Sequence, residues 1–121
     1  AELDEIVKLV GIDALSPSDR LKLEVARSIR EDFLHQNSFH QIDTFTDLEK
    51  QFYMIEAILG FYDLSLKNLE KLSIDKLIEL PVTEKIGRFK YVDKEQAYKE
   101  FEAIQEDMRK EISELAQKGD V

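Results

Sequence analysis

The chain has no cysteine, four glycines and two prolines in 121 residues. Without cysteine there are no disulfides, no thiolate nucleophile and no Cys-ligated zinc. The scarcity of glycine and proline, with no strand-like alternation of apolar and polar residues, leaves an all-α reading. The glycines are isolated, so no Gly-rich loop is available to cradle a phosphate. No serine stands in a strand–turn–helix elbow, which removes a nucleophilic triad. No apolar run approaches the ~18 residues of a membrane span. The N-terminus, Ala1 to Glu5, is acidic and lacks the apolar core of a signal peptide.

Apolar residues make up 43 %, enough for a globular core, and charged residues 36 %, more than an average domain carries. A net charge of −9 argues against nucleic acid, which needs clustered Lys and Arg, and against an anionic membrane surface. A basic protein partner suits it better. The length fits one domain. Leu3, Ile6, Val7 and Val10 already lie on a helical face, so the chain reads as a piece excised from a longer one.

The expected architecture is a bundle of about four main helices plus two short ones. A first helix covers about Glu2 to Val10. Gly11 to Leu21 then forms a tight loop: Gly11 ends one helix, while Ser16 as N-cap, Pro17 at the first position and Asp19 in the first turn start the next. That second helix runs to about His35, with Leu21, Val25, Ile29 and Phe33 as its stripe, widened by Ala26 and Leu34. Asn37 to Phe45 is a second loop, closed by a capping box at Thr46–Glu49. The third helix carries a heptad seam of Leu48, Phe52, Ile55, Leu59, Tyr62, Leu66 and Leu69, with Met54, Ile58 and Phe61 beside it, and should be the central pillar. Gly60 interrupts it, as close approach of another helix would explain. A short helix from Ile74 to Leu80 stops at Pro81, and a second covers Glu84 to Lys90. Asp93 caps a last helix reaching Gln117, with Tyr98, Phe101, Ile104, Met108, Ile112 and Leu115 on one side. Glu95–Lys99 and Glu106–Lys110 pair on its other side, and Gly119 ends it.

His35 and His40 lie near Asp32 and Asp43, but a helix end between the histidines breaks any established metal-ligand spacing. Phe39 and Phe45 flank Ile42 in an otherwise polar loop, where large rings either fold back on the core or meet a ligand. Stacking of a base on a ring contributes about 1–3 kcal/mol. Millimolar affinity already needs about 4 kcal/mol. These rings could complete a purine pocket but could not bind a nucleotide unaided.

The blocks Ile6–Leu21, Val25–Leu34, Gln36–Phe45, Glu79–Val82 and Ile86–Tyr91, in this order, resemble the C-terminal domain of the catalytic A subunit of archaeal and vacuolar-type (V/A-type) ATP synthases. The resemblance covers about residues 5 to 91; the final helix matches in character. It implies a helical bundle beneath a P-loop domain, in rotary ATP synthesis or hydrolysis coupled to proton or sodium translocation. ATP or ADP with magnesium would sit in the upstream domain. The implied partners are that domain, the central rotor stalk and non-catalytic B subunits in an alternating hexamer, on the cytoplasmic side of a membrane without direct insertion.

Within this resemblance, Asp13, Ala14, Leu15, Ser16, Pro17, Ser18 and Asp19 occupy the place of the acidic lever of the related F-type beta subunit, which contacts the rotor. Asp13, Leu15, Ser16 and Asp19 match it. Ala14, Pro17 and Ser18 replace glutamates, which favours a steric push by a proline-braced tip. Phe39 and Phe45 fall on the aromatic positions that hold the adenine ring, and Ile42 on a small-residue position between them. Two further readings come from the residues alone: a free-standing acidic helical interaction module, and a carboxylate–histidine metal enzyme.

Overall fold

Helix starts and stops follow local chemistry closely at one end of the chain and poorly at the other. The computed structural model describes residues 15–34 and 48–118, which hold helices and short connections and no strand. The expected first helix, the whole expected loop from Asn37 to Phe45, Thr46 and Asp47 of the capping box, and Gly119 lie outside the described residues. Among the described residues there are five α-helices: α1 (Pro17–Ser28), α2 (Leu48–Lys67), α3 (Ile74–Leu77), α4 (Pro81–Arg88) and α5 (Ala97–Lys118). A π-helical segment, Ile29–Leu34, continues α1, and single 3-10 turns occupy Leu69–Lys71, Phe89–Tyr91 and Lys94–Gln96.

Ser16, Pro17 and Asp19 behave as their chemistry demands. The Ser16 hydroxyl accepts from the Asp19 N–H at 3.2 Å, Pro17 takes the first turn, and Asp19 sits by the positive end of the helix dipole. Pro81, expected to stop a helix, starts one instead. The expected Ile74–Leu80 helix is only α3, and Pro81 opens α4 because its missing N–H has no intrahelical acceptor to lose there. The next orphan donor, the Val82 N–H, is met by the Glu111 carboxylate of α5 at 2.9 Å. Asp93 precedes a 3-10 turn and makes no side-chain cap.

The core is one cluster gathered from every helix. Leu21 and Val25 of α1, Met54, Ala57, Ile58 and Phe61 of α2, Ile74 and Leu77 of α3, Val82 and Ile86 of α4, and Ala97, Phe101, Ile104, Met108, Ile112 and Leu115 of α5 meet in it, with Leu72 and Phe89 from the connections. α2 is the pillar, packed against α1, the π segment, α4 and α5. Its buried face is only partly the expected seam: Tyr62, and Leu69 just beyond the helix, pack against the core from the edge. Met54, Ala57, Ile58, Phe61 and Ser65 face inward, whereas Leu48, Phe52, Leu59 and Leu66 are exposed. Both faces are apolar at helical spacing, so periodicity cannot choose between them.

Two smaller expectations are corrected on the flanks. Ala26 and Tyr98 are exposed rather than part of the inward stripes. Neither Glu95–Lys99 nor Glu106–Lys110 closes into an ion pair among the described residues. On an exposed face the Coulomb gain barely offsets side-chain entropy. Lys85 of α4 instead bridges to Asp107 of α5, a contact that raises its pKa.

α1 runs antiparallel to α2. Its N-terminal turn is tied to α3, beyond the C-terminal end of α2, by an Arg20–Asp75 ion pair at 2.6 Å. Its π extension packs at the other end, against α4 and the Phe89–Tyr91 turn. There Lys50, near the start of α2, donates to the Lys90 carbonyl at 2.8 Å.

Candidate functional site

The two candidate loops attach to opposite ends of one strut. From Pro17 to Leu34 the strut is helical throughout, so roughly 25 Å at most separates its ends, at 1.5 Å per residue over α1 and less over the wider π segment. At the first end stand the described members of the tip. Leu15 is buried, Ser16 and Pro17 are exposed, and Ser18 and Asp19 are half-buried. Asp13 and Ala14 lie outside the described residues. The buried Leu15 anchors the turn, and the Ser16 cap with the Arg20 N–H donating to the Ser16 carbonyl at 2.9 Å makes the helix start rigid. Pro17 presents a fixed-φ ring outward. This tip is stiff, and its one described carboxylate is Asp19.

At the far end the strut changes pitch. Residues 29–34 form a π segment, and the sequence stretch with Phe39, Ile42 and Phe45 follows it. All three lie outside the described residues, as do His35, His40 and Asp43. What the structure does define is how the described residues on either side of that stretch are held.

On the entering side, the acidic side chain of Asp32 is buried. The Ser28 hydroxyl donates to its Oδ2 at 2.8 Å, and the Arg27 guanidinium lies 3.8 Å away. Arg27 also bonds Glu24 at 2.9 Å and Glu31 at 2.8 Å. Burial alone lowers the Arg27 pKa, but the bonds to Glu24 and Glu31 outweigh it and hold the guanidinium above its ordinary value. Gly87 of α4 faces this carboxylate: a Cβ there would sit 3.5 Å from Asp32 Oδ1. The acid is thus clamped by a serine, an arginine and a bare stretch of helix. On the leaving side the buried Lys50 staples the start of α2 to the Phe89–Tyr91 turn.

The clamps at Asp32 and Lys50 were missed from sequence, yet each carried a signal. Asp32 falls four residues after Ser28, on the stripe of Leu21, Val25 and Ile29. Lys50 falls four before Met54, on the inward face of α2. A charged residue at a core position of a helix needs a partner and usually fixes something. Among the described residues no group of three His, Asp or Glu side chains could hold a metal ion, and no helix is long and apolar enough to cross a membrane.

The comparisons with known proteins agree with one another. Residues 1–78 match the family described as the C-terminal domain of V and A type ATP synthase. The chain is 56 % identical over 119 residues to the V-type ATP synthase alpha chain of Acetivibrio thermocellus, covering 98 % of this chain and 20 % of that protein. It is 49 % identical over 119 residues to the alpha chain of Clostridioides difficile and 51 % over 120 residues to that of Thermoanaerobacter pseudethanolicus, with the same coverage of each. It therefore spans about a fifth of the length of the relatives it matches. By family profile and by relatives alike, this chain belongs to the C-terminal domains of V and A type ATP synthases.

Proposed function

We propose that this domain is the transmission element of the catalytic chain of a rotary, proton- or sodium-translocating ATP synthase. The observation that carries the reading is the match of nearly the whole chain to V-type ATP synthase alpha chains. Nucleotide, as ATP or ADP with magnesium, is held by the P-loop domain upstream. Phe39, Ile42 and Phe45 complete the adenine side of that pocket. Closure of the upstream domain pulls on this loop, and the bundle swings. Residues 13–19 at the other end press on the central rotor stalk, while B subunits flank the catalytic chain in an alternating hexamer on the cytoplasmic side of the membrane.

The mechanics of the described residues support this reading. A lever must move as one body, and the strut of α1 with its π extension is locked at both ends. The Arg20–Asp75 pair and the Ser16 cap hold the tip. The Asp32 clamp and the Lys50 staple hold the two sides of the aromatic loop. With Ala14, Pro17 and Ser18 where the F-type lever carries glutamates, the push is steric.

The test is made in the assembled complex. Replacing residues 13–19 with an alanine–glycine stretch should uncouple ATP hydrolysis from ion pumping and lower the torque; unchanged torque and coupling would sink the lever role. Phe39→Ala and Phe45→Ala should each raise the KM for ATP by roughly 5- to 150-fold, the span of 1–3 kcal/mol of lost stacking. The 121-residue domain alone should neither hydrolyse ATP nor bind it with sub-micromolar affinity in a calorimeter, since two rings are too little to hold a nucleotide.

A further inference from the structure

α2 has two apolar faces and the bundle uses one of them. On the outward face Leu48, Phe52, Ile55, Leu59, Tyr62 and Leu66 follow one another at alternating spacings of four and three, the repeat by which one helix seats against another. Leu48, Phe52, Leu59 and Leu66 keep 53 %, 56 %, 45 % and 42 % of their surface exposed, Ile55 is half-buried, and Tyr62 is half-buried because it also packs against the core. The exposed Tyr98 of α5 widens the patch beside Phe52: the Tyr53 ring lies 5.7 Å from each. The stripe runs for about 27 Å along the helix. A scattered exposed leucine needs no explanation, but a continuous stripe of this length marks a contact surface.

The edge of the stripe carries its own pattern. Glu49, Glu56 and Asp63 recur every seventh residue along α2, each one position after a seam residue, Glu70 continues the spacing in the 3-10 turn beyond the helix, and all are exposed. Glu49 accepts from the Tyr53 hydroxyl at 3.0 Å. Glu56, Asp63 and Glu70 make no hydrogen bond or ion pair among the described residues. In a two-helix seam this position faces charged side chains of the partner and sets which partner is accepted. An antiparallel second copy would bring acid against acid, on a chain already at net charge −9. An anionic bilayer is repelled for the same reason.

We propose that this face of α2 docks an amphipathic helix of a different protein chain, one whose apolar seam is edged by Lys or Arg at heptad intervals. The apolar seam supplies the attraction, and the acidic row supplies register and choice of partner. The inference stands on this surface alone and uses residues other than the 13–19 tip.

The test places photoreactive benzoylphenylalanine at position 59 of the complete alpha chain in its assembled complex, with the adduct mapped by mass spectrometry after irradiation. The expected adduct lies on another chain, in a segment with three–four apolar spacing and flanking Lys or Arg. Adducts confined to this chain's own residues 1–14 or 35–47, to a second copy, or to lipid would overturn the proposal, as would no adduct. Combining Glu56→Lys with Asp63→Lys should cut the yield at least roughly tenfold, because like charges then face each other. The thermal midpoint should hold, since both side chains are exposed. An unchanged yield would overturn the charge-selected docking.

Discussion

Gly60 lies in the middle of α2, where glycine costs about 1 kcal/mol relative to alanine because it surrenders more backbone freedom on folding. A glycine in that position needs a neighbour too close for a methyl group, or it is simply a weak point. A Cβ built at Gly60 would meet the Met108 Sδ of α5 at 3.6 Å and its Cε at 4.0 Å, which is ordinary contact with the end of a flexible side chain. No backbone atom of α5 stands in the way. Gly60→Ala should therefore recover the helix term and add a small packing gain against Met108. For a 121-residue chain the unfolding entropy is roughly 0.25 kcal/mol/K, so a gain of about 0.8–1 kcal/mol raises Tm by about 3–4 °C. Thermal unfolding followed by helical ellipticity measures this directly. Gly87→Ala is the internal control, because its methyl would also make ordinary contact, at 3.5 Å, but with the polar Asp32 carboxyl rather than an apolar side chain, and should gain less. A fall in Tm for Gly60→Ala would refute the reasoning and show that α2 and α5 need the glycine to approach each other.

Ser65 on the same helix is fully buried, and its hydroxyl has no hydrogen-bond partner among the described residues. Ser65→Ala should raise stability by about 1 kcal/mol, read as a higher urea midpoint at unchanged slope. Ser16→Ala removes the cap on the tip and should lower stability by about 1 kcal/mol, whereas Ser16→Asp should retain most of it; equal losses would deny the cap its role. Tyr53 donates to Glu49, and that bond holds its phenol above the ordinary 10.0. A raised folded-state pKa means its stabilisation is complete below pH 10.0 and is lost as pH rises through the folded value. Glu49→Gln should let Tyr53 ionise at lower pH, seen as an earlier rise of phenolate absorbance in an alkaline titration.

The helical class and the start of α1 were legible because they depend on near neighbours in the chain. Ser16, Pro17 and Asp19 act within one turn of one another, and the stripe of α5 from Phe101 to Leu115 has only one apolar side to bury. The family too was legible, since ordered blocks of residues carry it without any folding step. The clamps on the aromatic loop were not. Asp32 meets Gly87 only when the strut crosses α4, and Lys50 meets the Lys90 carbonyl only when α2 starts beside the Phe89–Tyr91 turn. Pro81 misled because proline ends one helix and begins another by the same property, a fixed φ with no N–H to donate.

The sequence by itself determined that α2 would be helical and apolar over more than one face, and it supplied both faces complete. Which face became core was decided by the tertiary structure. Met54, Ala57, Ile58 and Phe61 offer a mixture of small and large side chains, into which α1, α4 and α5 pack together. The larger and more regular seam from Leu48 to Leu66, edged by an acid every seventh residue, was left outside. Periodicity records only that a face is apolar. Burial depends on whether the other helices fit against it, and that is a property of their arrangement in space.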